Sequence, residues 1–273
     1  MQPELLPTQP YAVTPDTFLM PTLAVDPMSG GSLGVHSLVI RGSEPLVVDT
    51  SVPLVHETWV EHVTSVVDLD DVRWIYISHD DHDHIGNLEW MLEHCPNATL
   101  LATFPIVHRL AGDMDLPLER MRIMNAGDTL DIGDRTITAV VPPLFDSPAT
   151  RGVFDSKNRL LWAADSFGAL FPGAVYEAND IPTEMFNESF FALNAANSPW
   201  AQWLDPAKFA AHVADSAALR PEVVVSAHGP VLRGERITDA YQRTMDLVGK
   251  AVPPAPGQDV LEFILSLMLA PAN

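Results

Sequence analysis

Cysteine is nearly absent: Cys95 is the single one in 273 residues. That excludes an intrachain disulfide, a cysteine-based zinc knuckle and an iron–sulfur cluster held by this chain alone. It leaves Cys95 as a half-buried small hydrophobe at a helix end. Basic residues are scarce too, 15 Lys and Arg against 36 Asp and Glu, for a formal net charge of −21. Such a surface repels phosphate backbones and anionic lipid, so neither nucleic acid nor a membrane is expected as a partner. The acidic residues are dispersed rather than gathered in a tail, which reads as a solubilising surface rather than a docking patch. No apolar run reaches the roughly twenty residues of a membrane span. The start, Met1-Gln2-Pro3-Glu4-Leu5-Leu6-Pro7, lacks the basic and apolar regions of a signal peptide, so a cytoplasmic protein is expected. No internal repeat or low-complexity tract is visible.

What the sequence does contain is ample material for a core, with 47% hydrophobic residues. One large α/β domain with a short appendage is expected. Residues 1–16 read as a lightly ordered, proline-rich arm. Within 17–250, Thr17 to Val25 reads as a strand, and Met28 to Gly34 as a loop using Gly30, Gly31 and Gly34. Val35 to Arg41 and Pro45 to Thr50 read as a hairpin, with Asp49 at a buried strand end in a structural rather than a ligating role. Val55 to Val67 has helical periodicity, and Val72 to Ile77 is a strand. A helix over 86–93, a strand at 98–102, a helix near 105–111 and strands near 128–132 and 136–141 follow. Val153 to Asp155 and Arg159 to Ala163 read as a hairpin, and Glu222 to Ser226 as a further strand. A helical insertion at about 169–220 carries helix starts at Asp180 with Pro182 and at Asp205-Pro206. Its Met185, Phe186, Phe190, Trp200 and Trp203 either pack on the sheet or roof a site. Ile237 to Val248 is a last amphipathic helix. Residues 251–273 are a proline-rich linker, Pro253 to Gly257, and an apolar segment, Val260 to Leu269, to be buried on the body or in a homo-oligomer.

The richest chemistry follows the strand ending at Ile77. His79-Asp80-Asp81-His82-Asp83-His84 are six consecutive residues able to ligate a metal, presented by a loop at a buried strand end. A solvated acidic turn is the plainer reading, but it does not account for three histidines directly after an apolar strand. Three other loops follow strands: Asp146-Ser147-Pro148, Ala164-Asp165-Ser166-Phe167-Gly168 and Ser226-Ala227-His228-Gly229-Pro230. Strand-end loops of a layered α/β core converge on one edge, which supplies donors for two metal ions. The spacing suggests that His79 and Asp81 reach one ion, Asp83 and His84 the other, that Asp165 bridges them and that His228 completes the second.

These motifs, in this order, resemble the metallo-β-lactamase superfamily, whose signature is His-x-(His/Glu/Asp)-x-Asp-His followed by a distant His, Asp and His. The resemblance covers roughly residues 17–250 and implies a four-layer αββα sandwich with the site at one edge. Asp81, where hydrolytic zinc members usually carry histidine, is similar to the flavodiiron proteins and their stand-alone oxygen-binding di-iron relatives, as is the phrase around Asp165. A carboxylate there hardens the site and favours iron or manganese over zinc, with iron expected first. At the middle histidine this chain departs from the pattern. Aligning Pro148 puts Asp146 at the ligand position, while an ungapped alignment puts Phe145 there, leaving Asp146 as a ligand or as an Asx-turn residue. His82 falls between ligand positions and is expected outside the ligand set. His36, His56, His62, His94, His108 and His212 read as structural or surface histidines, His36 being the one most worth inspecting.

The resemblance implies a binuclear, most readily di-iron, protein that binds and reduces dioxygen or a related small oxidant, with Asp83 and Asp165 as the catalytic carboxylates. No flavodoxin-like domain is expected after the core, so electrons are expected from an external donor protein. The alternatives are a zinc or manganese hydrolase acting on an ester, lactone or phosphodiester, with Asp83 or Asp81 as proton acceptor, and a non-enzymatic oxygen sensor.

Overall fold

Alternation inside short apolar strands sets the layering of the protein. In Leu46-Val47-Val48, Val47 packs with Trp59 and Val63 of a helix, whereas Leu46 and Val48 pack with Trp162 and Val225 of a second sheet. In Val223-Val224-Val225 the outer two face the first sheet, and Val224 faces Phe186 and Phe190. Side chains that alternate sides along a strand, apolar on both, require cover on both faces. The outcome is two sheets stacked face to face with helices outside each.

The computed structural model describes residues 4–25, 30–252, 254 and 257–269, the side chains of 267–269 excepted. In chain order the strands begin β1 (Tyr11–Thr14), β2 (Thr17–Met20), β3 (Leu23–Val25), β4 (Ser32–Gly34), β5 (Ser37–Ile40), β6 (Leu46–Val48), β7 (Trp74–Tyr76) and β8 (Thr99–Ala102). They continue with β9 (Met121–Ile123), β10 (Thr129–Asp131), β11 (Thr136–Val140), β12 (Gly152–Asp155), β13 (Leu160–Trp162), β14 (Val223–Val225) and β15 (Leu232–Arg233). The helices are α1 (His56–Val66), α2 (His82–Ile85), α3 (Leu88–His94), α4 (Phe104–Leu110), α5 (Thr183–Asn197), α6 (Pro206–Ala217), α7 (Glu235–Met245) and α8 (Gln258–Leu269).

One sheet has seven strands in the order β1-β2-β5-β6-β7-β8-β9, the other six in the order β10 to β15, and β3-β4 form a separate pair. Strands β6 to β9 run parallel, joined through α1, α3 and α4, and β13 runs parallel to β14. Helices α1, α3 and α4 cover the first sheet, and α5 and α7 the second, giving the four-layer αββα sandwich. The C-terminal ends of β6, β7, β13 and β14 open on one rim, where loops can carry chemistry.

Local chemistry moved several boundaries. Pro21, which has no N–H to donate, separates β2 from β3, so the single strand expected over Thr17 to Val25 is two strands in different pairings. Tyr11–Thr14, expected within the loose arm, is an edge strand on β2. Ser32–Gly34 of the expected glycine loop is β4; Met28 of that loop, and Pro253, Ala255 and Pro256 of the linker, lie outside the described residues. The helix expected from Gly86 starts at Leu88, with α2 formed inside the ligand motif itself. Edge strand β9 carries no clear periodicity and went unpredicted. Asp205 caps α6 by accepting from the amides of Ala207 and Lys208, as the sequence predicts. Cys95 is fully rather than half buried, which pushes its thiol up to about 12. Among the described residues no helix is long and apolar enough to cross a membrane.

Candidate metal centre

The rim gathers all seven residues that the sequence nominates as ligands. His79 leaves the end of β7, Asp81 precedes α2, Asp83 and His84 lie within it, Asp165 follows β13 and His228 follows β14. Asp146 arrives from the loop between β11 and β12. Their donor atoms fall into groups close enough to hold an ion: His79, Asp81 and Asp146; His79, His84 and Asp165; and Asp83, His84 and His228.

Asp165 joins them. Its Oδ2 lies 3.7 Å from His79 Nε2, and its Oδ1 lies 3.1 Å from His84 Nε2 and 3.3 Å from His228 Nε2. On one side, His79 Nε2 is 3.9 Å from both Asp81 Oδ2 and Asp146 Oδ2. On the other, Asp83 Oδ2 is 3.7 Å from His84 Nε2 and 3.5 Å from His228 Nε2. Donors about 2.1 Å from a common ion stand roughly 3–3.5 Å apart, so a small contraction brings each set onto one centre. His79 Nε2, His84 Nε2 and Asp165 Oδ1 are buried, face one another and, among the described residues, make no well-formed hydrogen bond. Burying three such atoms unpaired is costly, and a cation held between them supplies the missing partner.

The far side of each imidazole explains its aim. His84 Nδ1 bonds to Asp49 Oδ2 at 2.9 Å, and His228 Nδ1 to the Gly34 carbonyl at 2.7 Å. Ser78 Oγ donates to Asp49 Oδ2, which leaves its lone pairs for His79 Nδ1 at 3.1 Å. With each Nδ1 carrying the proton, each Nε2 presents a lone pair inward. Asp49 is fully buried, with Ser78 N–H on Oδ1 and Trp162 Nε1 on Oδ2, and holds φ 57°. It thus has the structural role expected of it, behind the ligand positions.

Charge within the group is strongly coupled. Burial penalises the Asp165 carboxylate, but the His228 and His84 imidazoles outweigh it and hold the acid well below its ordinary range. Burial likewise opposes charge on His84, and the Asp49 and Asp165 carboxylates reverse this and raise it well above the usual histidine value. His228 is raised for the same reason, by Asp165. Asp81 is raised by burial and by Asp146 and Asp83, against the pull of His79.

Asp146, not Phe145, stands beside His79; the Phe145 carbonyl accepts from Trp200 Nε1, and the two rings lie 5.0 Å apart. His82 points to solvent, and its neighbour Asp80 pairs with Arg109 of α4. His36 is buried, accepts the Thr22 amide at Nδ1 and is kept neutral, its pKa pushed down to about 3 by burial. Of the side chains that might have roofed the rim, Phe186 and Phe190 are core, while Met185 and Trp203 are 46% and 78% exposed. Only Trp200 reaches the ligand loops, through Phe145. Asn197, at the end of α5, donates to Asp165 Oδ2 at 3.2 Å; nothing in its sequence context marked it.

A family profile described as "ODP family beta lactamase" matches residues 35–229. The anaerobic nitric oxide reductase flavorubredoxin of Salmonella typhi is 27% identical over 134 residues, 49% of this chain and 28% of that protein. Among solved structures, rubredoxin oxygen:oxidoreductase of Desulfovibrio gigas superposes with a TM-score of 0.75 at 19% identity, over 87% of this chain and 61% of that one. The flavodiiron protein of Giardia intestinalis gives 0.73 at 20% identity, over 89% and 60%. The match to the flavorubredoxin thus spans little more than a quarter of that protein's length.

Proposed function

The chain belongs to the ODP family of β-lactamase-like proteins, and from that premise we propose that it is a binuclear non-haem metalloprotein, iron favoured, which binds and reduces dioxygen or a related small oxidant. The observation that carries this reading is Asp165, whose two oxygens face two different donor groups. Every histidine in those groups is locked from behind with Nε2 inward. His79, Asp81 and Asp146 would hold one ion, Asp83, His84 and His228 the other, and Asp165 both. Four carboxylates against three imidazoles make a hard, anionic set that suits iron better than zinc. When bound, a ferrous pair supplies one electron per ion to the oxidant. The chain's own contribution is to orient the donors, to exclude water on the sheet side, and to offer the partly exposed Asp83 as a proton carrier at the rim. The electrons come from a separate donor protein.

The test is metal content and the optical spectrum of protein purified without oxygen, followed by oxygen uptake with a supplied reductant. Two irons per chain, reversible bleaching and reductant-dependent uptake are expected. Two zincs, turnover of esters or phosphodiesters and no redox response would overturn the reading in favour of a hydrolase.

A further inference from the structure

The two donor groups are built differently. The group of His84, His228 and Asp83 has two imidazoles, and both are anchored from behind, by Asp49 and by the Gly34 carbonyl. The His84 side chain is fully buried, that of His228 is 11% exposed and that of Asp83 is 32% exposed. The group of His79, Asp81 and Asp146 has one imidazole and two carboxylates, and the Asp81 and Asp146 side chains are 54% and 23% exposed. A carboxylate oxygen of Asp81 and one of Asp146 lie within 4.8 Å of each other. Among the described residues no donor from elsewhere in the chain bonds to either carboxylate. The unpaired, fully buried Nε2 of His79 is aimed at them.

Three physical consequences point the same way. Oxygen donors match hard cations such as Mn2+ better than imidazole does. Ligands with no outer partner must be ordered when the ion binds, which lowers affinity and speeds release. Water reaches the exposed carboxylates and competes for the ion. We propose that the two positions are inequivalent: the His84–His228 position holds its ion tightly, while the His79–Asp81–Asp146 position is an exchangeable site that takes Mn2+ in competition with Fe2+. This rests on the two-metal reading above. It makes Asp146 the residue that sets the identity of the second ion.

The experiment uses the full chain, loaded anaerobically with two equivalents of Fe2+ and dialysed against excess Mn2+, with metals counted by mass spectrometry and Mn2+ followed by electron paramagnetic resonance. About one iron per chain is expected to remain and about one manganese to enter. Asp146→His, which adds an imidazole on an exposed loop, is expected to slow loss of the second iron by about ten-fold or more. Asp81→Asn is expected to leave a single iron per chain, so the inference stays testable if Asp146→His folds poorly. Release of both irons together, retention of both, or identical exchange in wild type and Asp146→His overturns the inequivalence while leaving a two-metal protein. Failure of the wild type to bind two irons overturns both readings.

Discussion

Asp49 Oδ2 meets His84 Nδ1 at 2.9 Å in a fully buried contact that also collects Ser78 Oγ and Trp162 Nε1. One carboxylate from the end of β6 therefore fixes an imidazole on α2 and a serine after β7 at once. Replacing it with an amide removes the charge but keeps the shape. Asp49→Asn is expected to fold and to lose about 10–100-fold in metal affinity, measured by competition with a chromophoric chelator. Unchanged affinity would show that His84 does not need this partner.

The coupled charges give a pH dependence with a definite sign. His84 and His228 are raised, so their contribution to metal-free stability is present below about 6.5 and lost as pH rises through their folded values. Asp165 is depressed, so its contribution is present above about 3.9 and lost as pH falls toward its folded value. Metal-free protein should thus melt highest at mildly acidic pH and lower at about pH 9, while apparent iron affinity rises over the same interval because binding displaces the Nε2 protons. A melting temperature that climbs from about pH 6 to pH 9 without metal would contradict the assigned charges.

Gly86 sits behind α2 with no room for a side chain. A Cβ there would lie 2.5 Å from the Ser51 carbonyl oxygen, and the Gly86 amide already donates to that oxygen at 2.8 Å. Because the obstruction is backbone, it yields only by moving the ligand loop. Gly86→Ala is expected to cost about 1–3 kcal/mol by chemical denaturation and to weaken metal binding in proportion. A neutral effect would mean that the loop relaxes freely.

At the end of the sheets away from the rim, Arg135 of the β10–β11 turn is buried against Asp155, also buried, and reaches Asp134 and Asp16. Asp16 lies in the β1–β2 turn of the other sheet, so this cluster ties the two sheets together. Arg135→Met takes the guanidinium from the buried Asp155 carboxylate, which keeps donors from the Lys157 amide and the Asn158 side chain, and a loss of about 3–5 kcal/mol is expected, with two-iron binding retained per folded chain. A loss below 1 kcal/mol would show that the cluster is not a structural tie.

The parts of this architecture legible in the sequence are those written in local pattern. His79 to His84 follows a strand whose period is plain, and Asp165 and His228 each follow another, so their meeting on one rim comes from strand ends alone. Asp146 against Phe145 is a choice of one residue in register within an irregular loop, and only packing decides it: Phe145 is taken by Trp200. Asn197 and the Gly34 carbonyl were invisible for a different reason. The first acts from a helix distant in sequence, the second through backbone that every residue possesses. Strands β1 and β9 lie at the sheet edge, where burial is on one side and the hydrophobic signature correspondingly thin.

Because the rim draws His79 and His84 from one sheet and Asp165 and His228 from the other, neither half of the polypeptide has a complete ligand set. During synthesis the early half emerges with His79 and His84 but without Asp165, and His228 is the last of the candidate ligands to leave the ribosome. Completion of the Asp83–His84–His228 group is thereby deferred until nearly the whole fold exists. A chain interrupted before β14 would carry His79, Asp81, Asp146 and Asp165 but not His228, so only one of the two donor groups could be whole.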